Sequence, residues 1–314
     1  MKKYLVEIIF YFLLPLAVIL IVAEYSIRKI PNDYAYKSDW LTQNGQDIKI
    51  LCLGPSSINY DINPLFFDAK GFNAAHVSQT IKYDHFILDK YISRMDSLRY
   101  LIIGIDYWSP YGSMEETAEW WRLKYYSIHY GCKYHKGEAK YNYELYFHKL
   151  ENFKIAFNGF LTLLGLRNET HRTVNDLGWG ENYTLSDRTT EWDNGIPEAL
   201  RHNRMLEESA HSNLLEENRR YLTDICRKSE QKGIQVLLVN TPLYRSYYDN
   251  LNPRFVKERK DFCDSFVSKF NNVEHLDFTN DSRFSADDFY DCNHLNEIGT
   301  KKFTRILNDI ILGK

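Results

Sequence analysis

The chain has 314 residues, 44% of them apolar and 26% charged, a globular composition that argues against disorder. A formal net charge of −3, with no basic stripe, argues against a nucleic-acid partner. Cys52, Cys132, Cys226, Cys263 and Cys292 are odd in number, widely spaced and free of any CxxC, which argues against a disulfide framework or zinc knuckle and reads as buried free thiols.

From Tyr4 to Tyr25 the chain is mostly apolar for about twenty residues, enough to cross a hydrocarbon core of ~30 Å. Lys2 and Lys3 precede this run, and no small-x-small site closes it before Glu24. Residues 1–30 therefore read as a retained signal anchor, a single transmembrane helix, rather than a cleaved signal peptide. Lys2 and Lys3 favour a cytoplasmic N-terminus, while Arg28 and Lys29 beyond the far end weaken the asymmetry. Glu7 falls near an interface, and Pro15 is tolerated in such helices. Residues 31–46 are polar and read as a linker.

Residues 47–314 read as one α/β domain. Ile48–Leu53 is a short apolar run stopped by Gly54-Pro55, the pattern of a buried strand ending at a turn. Similar runs lie at Tyr100–Ile105 and Val236–Val239, with weaker ones at Val273–Phe278 and Phe72–Ala75. Amphipathic patterns predict helices over Tyr83–Arg94, Leu214–Lys228, Phe255–Phe270 and Phe303–Ile311. Apolar strands alternating with such helices predict a parallel sheet covered on both faces. Residues 107–210 interrupt the alternation. They hold Trp108, Trp120, Trp121, Trp179, Trp192 and many tyrosines, and read as an aromatic-rich insertion with a helix over Glu115–His129.

Ligands of parallel sheets bind beyond the carboxyl ends of the strands. There the chain places Gly54-Pro55-Ser56-Ser57, His76-Val77-Ser78 and Asp106-Tyr107-Trp108. Asp291-Cys292-Asn293-His294-Leu295-Asn296 lies between the last strand and the last helix. A serine on a tight turn is a nucleophile only with a base to take its proton. Asp-x-x-His supplies the base and the carboxylate that orients it, and the spacing lets one turn point both into a pocket. Ser57 is the rival to Ser56. His76 either lines the pocket or is structural. Asp61 and Asn63 read as turn and cap residues, and Cys292 as packing.

Three segments, at 50–57, 72–78 and 291–299, resemble the blocks of the SGNH (GDSL-like) hydrolase family. They are Gly-x-Ser after the first strand, Asn73 with Ser78 five residues on, and Asp-x-x-His-Leu-Asn-x-x-Gly ending at Gly299. The resemblance covers about 47–107 and 233–312. It implies a flavodoxin-like three-layer fold with Ser56 as nucleophile, His294 as base and Asp291 as its partner. The N–H groups of Ser56 and Ser78 would be oxyanion donors, with Asn73, Asp106 and His76 as further site residues. Pro55 stands where the family often has Asp. Asp106 stands where a third block has Asn, and Ser78 where the second has glycine. Such departures fit a membrane-anchored acyltransferase branch that resembles the D-alanyl transfer protein of teichoic acid synthesis and the alginate O-acetyltransferases.

The resemblance implies a serine esterase or O-acyltransferase acting on an acyl ester of a cell-envelope glycan or glycolipid. It would be held in the bacterial cytoplasmic (inner) membrane with its catalytic domain on the outer face. A multi-spanning membrane acyltransferase is the implied partner, and no cofactor or metal is implied. The alternative is a non-catalytic binding or assembly protein of envelope polysaccharide biosynthesis on the same fold.

Overall fold

Three short runs rich in Ile, Leu and Val make the centre of the sheet, because such residues bury well on both faces of parallel strands, and two less apolar strands flank them. A computed structural model describes residues 2–146, 150–210 and 212–314. The strands are β1 (Ile50–Leu53), β2 (Gly71–Asn73), β3 (Tyr100–Gly104), β4 (Gln235–Asn240) and β5 (Val273–Asp277). All pair in parallel, in the order β2-β1-β3-β4-β5. The chain therefore reverses direction across the sheet between β1 and β3, opening a crevice at their carboxyl ends. The register sets Cys52 opposite Asn73 on one side and Ile102 on the other.

Ile50, Cys52, Ile102, Leu237 and Val239 share one core with Ile58, Phe303 and Leu307. Phe303 and Leu307 belong to the C-terminal helix Glu297–Ile311, which packs on the short helix Ser56–Asp61. The helices Ile81–Tyr91, Leu214–Gln231 and Pro253–Val267 connect successive strands, and Leu214–Gln231 packs against both of the others. Each buries a helical-period stripe, for example Leu222, Ile225 and Cys226.

The C-terminal helix also carries a polar seam. Thr300, Thr304 and Asn308 are four residues apart, so they lie on one face, and all three are buried. Thr300 Oγ1 donates to the Tyr60 carbonyl (2.8 Å), Thr304 Oγ1 accepts from the N–H of Asn63 (3.1 Å), and Asn308 Oδ1 accepts from that of Asp68 (2.8 Å). Each rung satisfies a backbone group of the segment after β1 that no strand or helix would otherwise serve.

The chain forms two compact units. One holds residues 39–117 and 173–314, with the whole sheet. The other holds 1–38 and 118–172. In the latter, Lys2–Ile8, a π-helical stretch Ile9–Leu13 and Leu14–Arg28 run as consecutive helical segments. The π stretch lies just ahead of Pro15, which has no N–H to continue the α ladder. Val6–Arg28 is long and apolar enough to cross a membrane, and most of its side chains are exposed. The aromatic residues of this unit pack among themselves, Tyr34 stacking on Tyr125 at 4.8 Å, beside a buried Lys124–Glu144 ion pair of 2.6 Å.

Two expectations need correction. Residues 31–46 are not a plain linker, since Asp33–Asn44 is helical. Its pattern is obscured because Lys37 and Ser38 are buried along with Leu41, while Trp40 stacks on Phe72 at 3.8 Å. The stretch 107–210 is not one insertion either. Residues 107–117 and 173–210 belong to the sheet unit, where Tyr107 and Tyr111 share a core with Ala199, Leu206 and Phe255. The helix expected over Glu115–His129 is confined to Leu123–His129, after a 3₁₀ turn at Trp120–Arg122. Glu115 instead takes hydrogen bonds from Lys82 and Tyr83.

Gly104 ends β3 where the helix Ser56–Asp61 crosses it. A Cβ there would fall 2.2 Å from Ile58 Cγ1. Gly104→Ala is expected to cost about 1–3 kcal/mol through overpacking. Combined with Ile58→Ala, the loss should fall short of the sum of the single losses by on the order of 1 kcal/mol. Thermal unfolding of the four proteins checks this, and strict additivity would contradict it.

Candidate active site

The first side of the site is made by the end of β1. Gly54 takes φ +138°. A side chain there would meet Gly104 N at 2.9 Å and Ile58 Cγ1 at 2.8 Å, so only glycine lets β1 turn so close to β3. Pro55 then stands at the N-cap of the helix Ser56–Asp61, its carbonyl accepting from Ile58 and Asn59 (3.1 Å each). An N-cap needs that carbonyl and not its own N–H, so proline fits this position. Ser56 becomes the first helical residue. Its N–H has no intrahelical acceptor and its side chain is half-buried.

The opposite side is the loop ahead of the C-terminal helix. Asp291 Oδ1 accepts from the N–H groups of Asn293 (2.9 Å) and His294 (2.8 Å), folding the four residues into a tight turn. Asn296 caps the following helix, accepting from Ile298 and Gly299, while its amide donates to the carbonyls of Asp287 and Phe289. The Leu295 N–H donates to Asp61 Oδ1 (2.8 Å). That bond clamps the loop to the helix that carries Ser56.

Between them runs a continuous hydrogen-bonded chain. Both carboxylate oxygens of Asp291 lie 3.0 Å from His294 Nδ1, and His294 Nε2 lies 2.9 Å from Ser56 Oγ. With the Nδ1 proton held by Asp291, the neutral ring has Nε2 free to accept from the Ser56 hydroxyl. Ser57 does not compete for the ring. It is buried, and its hydroxyl donates to Asp106 Oδ1 at 2.6 Å.

Burial would push the His294 imidazole down, but the Asp291 carboxylate, by charge and hydrogen bond, outweighs it. With further help from Asp61 and Asp106 it rises to about 9. Asp291 shows the converse. Burial pushes it up, and His294 with the two backbone N–H groups holds it below the usual carboxylate range. Asp106 is raised by burial against the pull of Ser57, His294 and Arg259. Asp61 is raised well above its ordinary value by burial, against His294 and the Leu295 N–H.

Other expected site residues fall differently. Asn73 is buried, and its amide is consumed by the carbonyls of Ile58 (2.7 Å) and Ile62 (2.8 Å). It shapes the nucleophile segment and does not reach the cleft, a correction to its reading as a binding residue. His76 is also buried, and its N–H donates to the Gly54 carbonyl (3.3 Å), laying the second block beside the first. Ser78 takes φ +60°, the left-handed conformation that a glycine would adopt freely. Asp106 engages Ser57 in place of presenting an amide. Cys292 is buried, and burial pushes its thiol up to about 12.

Two features went unread. Asp61 resembled a turn residue, yet it is wholly buried and its Oδ2 finds no partner among the described residues. Tyr60, Tyr183 and Tyr290 form a stack, with ring centroids 3.7 and 4.0 Å apart. The rings of Tyr60 and Tyr183 meet the His294 ring edge to face at 5.8 and 5.2 Å. Nothing local marks these three tyrosines, which come from separate segments.

A model of an uncharacterised protein family matches residues 197–314, less than half of the chain. No curated protein matches in sequence. A solved structure from Streptococcus pneumonia, provisionally described as a platelet activating factor, superposes with a TM-score of 0.43 at 10% identity. The alignment covers 95% of this chain and 97% of that one. A likeness of that degree carries no argument about the site.

Proposed function

We propose that the chain is a membrane-anchored serine esterase or O-acyltransferase of the SGNH type, acting on an acyl ester of a cell-envelope glycan or glycolipid. The observation that carries the reading is the unbroken path from Asp291 through His294 to Ser56. The strand order, which is also the flavodoxin-like order, supports the three-layer SGNH fold. Neutral His294 takes the Ser56 proton as Oγ bonds to the ester carbonyl carbon. The oxyanion is met by the N–H groups of Ser56 and Ser78, donors of a kind worth ~2.7–4 kcal/mol each. The imidazolium, steadied by Asp291, returns its proton to the leaving alkoxide, leaving an acyl-Ser56. Water or a sugar hydroxyl then takes the acyl group by the same steps in reverse.

The apolar helix Val6–Arg28 supports a single-pass anchor in the bacterial inner membrane, the sheet unit facing outward, where a multi-spanning acyl donor would deliver substrate.

Full-length protein in detergent is expected to turn over p-nitrophenyl acetate. Ser56→Ala and His294→Ala should each lose on the order of 10³-fold or more in kcat/KM, with Ser57→Ala far milder. A wild type no faster than Ser56→Ala would favour the binding or assembly protein.

The pH profile follows from His294. The base works only as neutral imidazole, and its proton is held up to about 9. Therefore kcat/KM should rise about tenfold per pH unit from 6 and level off near 9. Asp291→Asn removes the carboxylate that holds the proton and leaves the downward push of burial. Its limb should move to lower pH while its plateau drops by roughly 10⁴. A profile flat from pH 6 to 9 would contradict this assignment of the base.

A further inference from the structure

The helix Leu150–Leu163 carries an apolar face with no protein partner among the described residues. Phe153, Phe157, Phe160 and Leu164 follow one another at spacings of four, three and four, so they form one stripe. All are exposed, Phe157 by 61%. The faces beside the stripe are occupied. Ala156 is buried with Ala23 and Ile27 in one apolar cluster, and Asn158 is buried too. Gly159 lies so close to the apolar helix that a Cβ would stand 2.6 Å from the Ser26 carbonyl oxygen. Small residues at such a crossing are the means by which helices approach closely in lipid.

The contact is made at Ala23–Ile27, within the last turns of the candidate span. Residues suited to a membrane–water boundary gather at the same level. Arg28 donates to the Asn142 carbonyl and sits 5.9 Å over the Tyr143 ring, Lys29 lies over Tyr25, and Tyr143 and Tyr146 are exposed. The phenylalanine stripe is thus continuous with a surface already apolar and already placed for lipid. Water is the wrong solvent for four large side chains in a row.

We infer that Leu150–Leu163 is a second membrane element, an amphipathic helix lying in the interface at the C-terminal end of the anchor, its occupant the lipid acyl chains. It rests on the reading of Val6–Arg28 as a retained anchor. Its depth is shallow, about 5–10 Å below the headgroups, as for other helices of this kind. Loss of the anchor would strip Ala156 and Gly159 of their partners.

All five native cysteines are free and buried, which leaves introduced thiols as the reactive ones. Full-length Phe157→Cys is labelled with a nitroxide, placed in phosphatidylglycerol–phosphatidylcholine vesicles, and read by electron paramagnetic resonance against oxygen and a water-soluble nickel chelate. Phe153→Cys, one turn earlier on the same exposed stripe, is the second site. Leu16→Cys reports the middle of the span, and Leu65→Cys, 63% exposed on the sheet unit, reports water. Collision with oxygen several-fold above collision with nickel at 157 and 153, at a depth between Leu65 and Leu16, is the expected result. Nickel access equal to that at Leu65 overturns the inference, as does low access to both reagents, which marks a protein partner on the stripe. Leu16 in water would sink the anchor, and with it an interfacial helix at the anchor's end. Lipid signals at Leu16 with 157 in water would sink the interfacial helix alone and leave the anchor standing.

Discussion

Ser56 and His294 are separated by 237 intervening positions, yet one buried carboxyl decides that they meet. Asp61 ends the helix that begins at Ser56, and it accepts the N–H of Leu295, the residue after His294. The seam of Thr300, Thr304 and Asn308 continues that attachment along the C-terminal helix, four residues per rung. Without its bond to Thr304 the N–H of Asn63 would be buried and unserved, at a cost of about 1–3 kcal/mol. The distance between Ser56 and His294 is therefore set by fold-level packing and not by the flexibility of two side chains.

Three carboxyl groups surround His294, and their environments separate their roles. Asp291 is met by two backbone N–H groups and the ring, which favours its charge. Asp61 is buried with one N–H, and Asp106 has the Ser57 hydroxyl, so burial outweighs what each gains. Asp291 is thus held below the usual carboxylate range against the ring, while burial raises the other two. The arrangement favours imidazolium, the form that appears as an acyl ester is attacked. The same preference makes the resting base hard to deprotonate.

The sheet and the Asp-x-x-His turn were legible because their signals are local. Short runs of Ile, Leu and Val mark β1, β3 and β4, and weaker apolar runs at Phe72–Ala75 and Val273–Phe278 mark β2 and β5, each to within two residues. The Gly-x-Ser register separates Ser56 from Ser57, and in the structure the Ser57 hydroxyl is turned to Asp106. What stayed hidden depends on partners far along the chain. Asp61 resembles any turn aspartate until Leu295 is set beside it. Asn73 resembles a site residue until Ile58 and Ile62 consume its amide. The helix Asp33–Asn44 is masked by buried Lys37 and Ser38, which break the apolar stripe. The aromatic stretch hid a division between two units, because tyrosine and tryptophan serve equally as core and as surface.

A serine made nucleophilic by its neighbours reacts with fluorophosphonates, and an ordinary serine does not. Mapping the adduct by peptide mass spectrometry on the full-length protein tests the central claim directly. The account predicts one adduct, on Ser56, formed at least about 10³-fold more slowly when His294 is alanine. An adduct on Ser57, or none at all on a protein whose fold is intact, would contradict it.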